Sequence, residues 1–204
     1  MNFLAHCALA NDAATIWQAN NNQRQGLLAG AVVGDFVKGR IPEDWPAPLA
    51  AGVKVHRRID AVSNTSPYMQ SCSNRYSGEL RRFAPIFVDL IADYHLCLDW
   101  GEYYPSVALP DFAQECYRAI GTYSGWLPAR GQRFLGYMRE EDLFTRFAQP
   151  PHLERSLGSV LRRLNREHLL AEVIDATDQI ISECADDCRL LHQELAAQWQ
   201  SFRV

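Results

Sequence analysis

An all-α fold is what this sequence predicts, and three observations carry the prediction. Apolar residues recur at helical spacing in nearly every segment, the strict alternation of a half-buried strand is almost absent, and proline and glycine cut the chain into helix-sized pieces. The cuts fall at residues 39–48, near Pro67, at 101–110, at 121–128 and at Pro150-Pro151. They leave a compact bundle of about seven or eight helices. The 204 residues contain no internal repeat and no linker, so the chain 1–204 is expected to form one domain around one core.

The elements follow in order. The first stretch, from Met1, is apolar but interrupted by His6, Asn11 and Asp12, which excludes the profile of a signal peptide. Residues 27–34 form the strongest apolar run and read as a buried helix, far shorter than the roughly 20 residues a membrane span needs. Asp35 follows that run directly. Residues 79–100 read as one long helix with Phe83, Phe87, Leu90, Ile91, Tyr94 and Leu98 on its buried face; Pro85 should kink it or mark a late start. An aromatic-rich middle, with Tyr103, Tyr104, Tyr117, Tyr123, Trp126, Phe134 and Tyr137, reads as core rather than as a ligand platform. Residues 167–202 form a second long helical stretch, broken once. His152, His168 and His192 fall in polar contexts and are expected on the surface.

Composition narrows the function. A net charge of -4 removes any global source of nonspecific attraction to nucleic acid. The six cysteines are scattered, with no CxxC and no paired-zinc spacing, and read as reduced thiols of a cytoplasmic protein. GxSxG, P-loop, GxGxxG, HExxH and ExxH motifs are all missing, which removes serine hydrolases, P-loop nucleotidases, dinucleotide-binding dehydrogenases, zincins and di-iron bundles in their usual forms.

What remains is a set of metal-ligand residue types on otherwise apolar helices in the first half: His6, Asp35, His56, Asp60, Asp89 and Asp93. His56 and Asp60 are spaced i,i+4, as are Asp89 and Asp93, so each pair projects from one helix face. A carboxylate or imidazole on an apolar face is costly unless it is paired, hydrogen-bonded or bound to metal. A mixed His/Asp set favours manganese or magnesium, with iron an alternative, over structural zinc. Such a centre supports phosphodiester hydrolysis, and Lys38, Arg57, Arg58 and Arg82 are candidates to clamp a phosphate or an acidic partner. The same residues allow a second reading, in which Asp89 and Asp93 pair with Arg57, Arg81 or Arg82 as a structural salt-bridge network.

Taken in order, Met1-Asn2-Phe3-Leu4-Ala5-His6, Gly34-Asp35-Phe36-Val37-Lys38-Gly39, His56-Arg57-Arg58-Ile59-Asp60, Arg82-Phe83-Ala84-Pro85 with Asp89 and Asp93, and Trp100 resemble the acyl-carrier-protein phosphodiesterase family. The likeness is dense over residues 1–100 and general beyond them. It implies a divergent, helical relative of the HD-domain phosphohydrolases that uses manganese to cleave holo-acyl carrier protein into apo-protein and 4'-phosphopantetheine. His6, Asp35, His56, Asp60 and Asp93 would form its site, with Asp89 in support. Two positions depart from the family pattern. Tyr94 stands where an imidazole usually follows the aspartate, with His95 the nearest substitute, and Ser63-Asn64 stands where Thr-Asp is usual. Two other readings therefore stay open: a phosphohydrolase of small nucleotides or other phosphodiesters, and a silent paralogue that only binds the carrier.

Overall fold

The computed structural model describes residues 2–204, and those residues contain helices and turns but no strand. Ten helices are of seven residues or more. In chain order they and two single-turn helices are α1 (Phe3–Ile16), α2 (Asn21–Val33), α3 (Ala47–Ser63), α4 (Pro67–Ser73), α5 (Ala84–Leu98), α6 (Trp100–Tyr103), α7 (Leu109–Thr122), α8 (Ala129–Glu140), α9 (Leu143–Arg146), α10 (Pro150–Arg163), α11 (Leu170–Ile180) and α12 (Ala185–Ala197). The all-α expectation is borne out. The count exceeds seven or eight because residues between the proline and glycine breaks close into short helices, α4, α6 and α9, that no apolar periodicity announces.

Local chemistry explains the boundaries. Asn20 caps α2 by accepting from the Gln23 backbone N–H, and the Gln23 side chain accepts from the Asn20 N–H in return. Proline lies in the first turn of α3, α4, α5, α7 and α10, where its missing N–H costs nothing. For the 79–100 stretch this means a late start: Leu80–Arg82 forms one 3-10 turn and α5 begins at Ala84. The tail breaks once, at the Ser182–Cys184 turn between α11 and α12.

Helices α2 and α3 cross at backbone contact. A Cβ at Gly30 would lie 2.5 Å from the Gly52 Cα, and one at Gly34 would lie 2.3 Å from His56 Cγ. Gly30 and Gly34 are one turn apart on α2 and its continuation; Gly52, His56 and Asp60 are successive turns of α3. The glycine seam therefore sets the crossing point and fixes where the imidazole emerges. Around it Leu4, Leu28, Leu49, Val53, Ile59, Phe87 and Ile91 are fully buried, each such side chain contributing about 1.5–3 kcal/mol. All six cysteines are buried and unpaired. Among the described residues no helix is long and apolar enough to cross a membrane.

The histidine expectations need correction. His152 and His192 are buried; His168 alone of the three is exposed. On α12, Cys188, His192 and Leu195 share a face at i, i+4, i+7, and the apolar members carry the imidazole inward. The aromatic middle divides: Tyr117 and Tyr123 are core, whereas Trp126 and Tyr137 are among the most exposed large apolar side chains.

Candidate functional site

Four of the residues singled out by sequence converge. His6 comes from the first turns of α1, Asp35 from the 3-10 turn Gly34–Phe36 that ends α2, and His56 and Asp60 from one face of α3. Asp60 lies between the imidazoles: His6 Nε2 is 3.1 Å from its Oδ1 and His56 Nε2 is 3.2 Å from its Oδ2. Asp35 Oδ1 is 3.9 Å from His56 Nε2. The two rings stack with centroids 4.3 Å apart, and one ligand atom from each of His6, His56 and Asp60 falls within 4.8 Å of the others. The imidazoles are buried while Asp35 and Asp60 are about half exposed, at 51% and 46%, so the cluster opens to solvent through its carboxylates.

Backbone carbonyls fix both rings. His6 Nδ1 is 2.8 Å from the Asn2 carbonyl and His56 Nδ1 is 2.9 Å from the Ala31 carbonyl. A carbonyl only accepts, so each Nδ1 carries hydrogen and each Nε2 is directed at a carboxylate oxygen. A neutral Nε2 lone pair facing a carboxylate oxygen is repulsive until a proton or a cation stands between them. Burial alone would raise the Asp60 carboxyl, but the His56 and His6 imidazoles together hold it well below the usual carboxylate range. Burial works to depress His56, yet Asp60 and then Asp35 outweigh it and raise that imidazole. His6 is lowered, by burial and by repulsion from His56. The set thus favours one added positive charge and resists two. Two carbonyl-oriented imidazoles and two solvent-facing carboxylates also fit a divalent cation, since hydrogen-bonding the far ring nitrogen is how histidine ligands are aimed.

Asp93 stands elsewhere. It is fully buried, and its two oxygens accept from the backbone N–H groups of Leu4 and Ala5 at 2.8 and 3.0 Å. It caps α1 from outside the helix, whose own N-cap residue Asn2 makes no side-chain cap. Burial pushes its carboxyl up to about 7 despite those two donors. Asp93 thereby anchors the turn that carries His6. Asp89 lies one turn earlier on α5 and is half-buried. His95 does not stand in for the missing family imidazole, because its Nε2 bonds the Ile181 carbonyl at 2.7 Å. Tyr94 lines a small apolar cleft with Leu153, Leu157 and Ile181. Asn64 is exposed at the C-terminal end of α3.

The basic candidates separate. Arg57 reaches from α3 to the carbonyls of Val37 and Gly39, bracing the segment that holds Asp35 and the exposed Lys38. Arg58 bonds Gln198 and stacks on Phe202, and Arg82 stacks on Phe83. The sequence reading missed the glycine seam, although Gly26-x-x-x-Gly30-x-x-x-Gly34 is visible as a run of i,i+4 small residues. It also missed α8, whose Phe134 ring lies 4.7 Å from that of Phe3 and 5.9 Å from that of Phe36.

Comparison with known proteins agrees with the residue pattern. The family model for acyl carrier protein phosphodiesterase matches residues 1–195. The chain is 30% identical to the acyl carrier protein phosphodiesterase of Serratia proteamaculans over 202 residues, 99% of this chain and 94% of that one. It is 31% identical to that of Yersinia pestis over 179 residues, 88% and 87% of the two chains. No solved structure matches.

Proposed function

The chain belongs to the acyl carrier protein phosphodiesterase family, and from that premise we propose that the His6, Asp35, His56 and Asp60 cluster performs a metal-assisted cleavage of holo-acyl carrier protein, releasing 4'-phosphopantetheine and leaving the apo-protein. The observation that carries this reading is the pair of Nε2 atoms, each aimed at one oxygen of Asp60 while the opposite ring nitrogen is held by a backbone carbonyl.

In this reading His6, His56 and Asp60 would hold a divalent cation, manganese for preference, with Asp35 beside them. Such a cation would supply acidity to a bound water and offset charge on the phosphodiester. The protein does the remainder. The carbonyls of Asn2 and Ala31 keep the imidazoles in one tautomer, and Asp93 keeps α1 from shifting His6. Half exposure of Asp35 and Asp60 leaves the open side to a substrate whose bulk stays outside, as an arm carried by a protein requires. Arg57 and Lys38 border that side and can meet phosphate oxygens.

The test is mass spectrometry of holo-acyl carrier protein after incubation with purified protein and manganese. The intact chain should remove the arm, and Asp60→Asn should reduce the rate by at least about 100-fold. No loss of the arm would defeat the proposal. Retained activity on small phosphodiesters alone would favour the small-substrate alternative, and carrier binding without turnover would identify a silent paralogue.

A further inference from the structure

We propose that the outer face of α8, centred on Arg130 and Arg133, is the docking surface for an acidic helical face of the carrier protein. This inference rests on the carrier-directed reading above and assigns its recognition to residues outside the catalytic cluster.

Three observations support it. The first is position. Arg130 stacks its guanidinium over the Phe36 ring at 5.4 Å, and Phe36 immediately follows Asp35. Phe134, on the same helix face, touches both Phe36 and Phe3, and Phe3 lies one turn before His6 on α1. A partner seated on α8 is therefore adjacent to the open side of the cluster. The second is charge. No acidic residue occurs from Trp126 to Arg139, and among the described residues neither Arg130 nor Arg133 enters an ion pair. By contrast Arg24, Arg75, Arg146, Arg166 and Arg189 each do. Spaced i,i+3, the two exposed guanidiniums project side by side. In a chain of net charge -4 this is a basic face beside an acidic site, which orients an acidic partner rather than merely attracting one.

The third is surface composition. Trp126 and Tyr137, at 36% and 43% exposure, flank the arginines, and Trp126 meets Trp45 edge-on at 6.1 Å. Aromatic side chains and arginine are the types that enrich protein–protein interfaces, and the buried counter-face of Gly131, Leu135 and Met138 gives them a rigid support. A free phosphate would be served by the arginines but has no use for the aromatic flank; an amphipathic acidic helix uses both. Three of the four cationic residues chosen from sequence are already engaged: Arg57 donates to the Val37 and Gly39 carbonyls, Arg58 to Gln198, and Arg82 lies over the Phe83 ring.

Fluorescence anisotropy of labelled holo-acyl carrier protein titrated with the full chain tests the surface without requiring turnover. R130E/R133E should weaken Kd at least tenfold and flatten its dependence on salt. R130A/R133A should weaken it less, and R162E/R163E, an exposed basic pair on α10, should leave it within twofold. A Kd for R130E/R133E within twofold of the unaltered chain, with circular dichroism showing the same helicity, overturns the inference, as does no binding by the unaltered chain. The mass-shift assay separates the two proposals. Turnover with an unchanged R130E/R133E Kd removes the docking face and keeps the activity; lost binding in R130E/R133E without turnover by the unaltered chain does the reverse.

Discussion

Helix α1 contributes to two clusters of histidine and aspartate that are built to opposite electrostatic ends. At its start, His6 joins His56, Asp35 and Asp60, and Asp60 is held ionised. Toward its end, Asp12 accepts from the Tyr104 hydroxyl at 2.9 Å, and the same hydroxyl lies 2.9 Å from His192 Nε2. There burial dominates: Asp12 is pushed up to about 6 and His192 down to about 4. The residue types are the same, so type does not decide. Two things do: whether the carboxylates reach solvent, and which ring nitrogen is left to face the acid. In the first cluster backbone carbonyls take Nδ1 and both Nε2 atoms converge on a half-exposed carboxylate. In the second a phenol takes Nε2, and Nδ1 is buried with no partner. The first arrangement favours an added cation; the second favours neutrality.

The most severe way to break this contrast is to remove one imidazole from each cluster. His56→Ala should lower kcat/KM on holo-acyl carrier protein by at least about 100-fold. His192→Ala should leave it within about threefold while lowering Tm, because it truncates a buried side chain away from the open cluster. Comparable losses of turnover in both variants would show that the second cluster takes part in the chemistry.

Asp93 sharpens the comparison from another side, since it is a buried carboxylate that belongs to neither cluster. Asp93→Ala leaves the N–H groups of Leu4 and Ala5 unsatisfied in the core, at a cost of about 1–3 kcal/mol in urea unfolding. Turnover should fall through displacement of His6, and Asp93→Asn, which keeps one acceptor and the shape, should recover part of both. Equal stability of Asp93→Ala and the unaltered chain would remove the capping role.

These residues also mark how far the sequence could be read. The convergent set was legible because each member violates an apolar helix face, and because i,i+4 spacing places His56 and Asp60 together before any packing is known. The role of Asp93 was not legible, because its partners are backbone N–H groups that leave no trace in residue types. His192 misled because its nearest neighbours in sequence are polar, whereas its neighbours at helical spacing are Cys188 and Leu195. The approach of α2 to α3 was written in the glycines at 26, 30, 34 and 52, which only become informative as a pair of seams. The nearness of α8 to the site depends on contacts of Phe134 with residues about 100 and 130 positions away, and no local pattern encodes that.

The smallest effect is on pH dependence, and it isolates the second cluster. Burial pushes the Asp12 carboxyl up to about 6 in the fold, above the ordinary aspartate value of 3.8, so between about pH 4 and 6 the native state binds more protons than the unfolded one. Stability therefore falls as pH rises through that window, and the penalty is constant above it. Asp12→Asn removes the penalty while an amide oxygen still accepts from Tyr104. It should be more stable than the unaltered chain by about 1 kcal/mol at pH 7–8, after solvent screening of a partly exposed group, with the gain vanishing near pH 4. His192 works in the other sense: its folded value near 4 lies below the ordinary 6.5, so stability is lost as pH falls from about 6.5 to 4. In the unaltered chain the two contributions oppose each other across pH 4–6. In Asp12→Asn the histidine acts alone, and the acid limb of Tm against pH should steepen. Parallel Tm curves for the two proteins from pH 4 to 8 would mean that Asp12 is not held near neutrality, and the contrast between the clusters would lose its electrostatic basis.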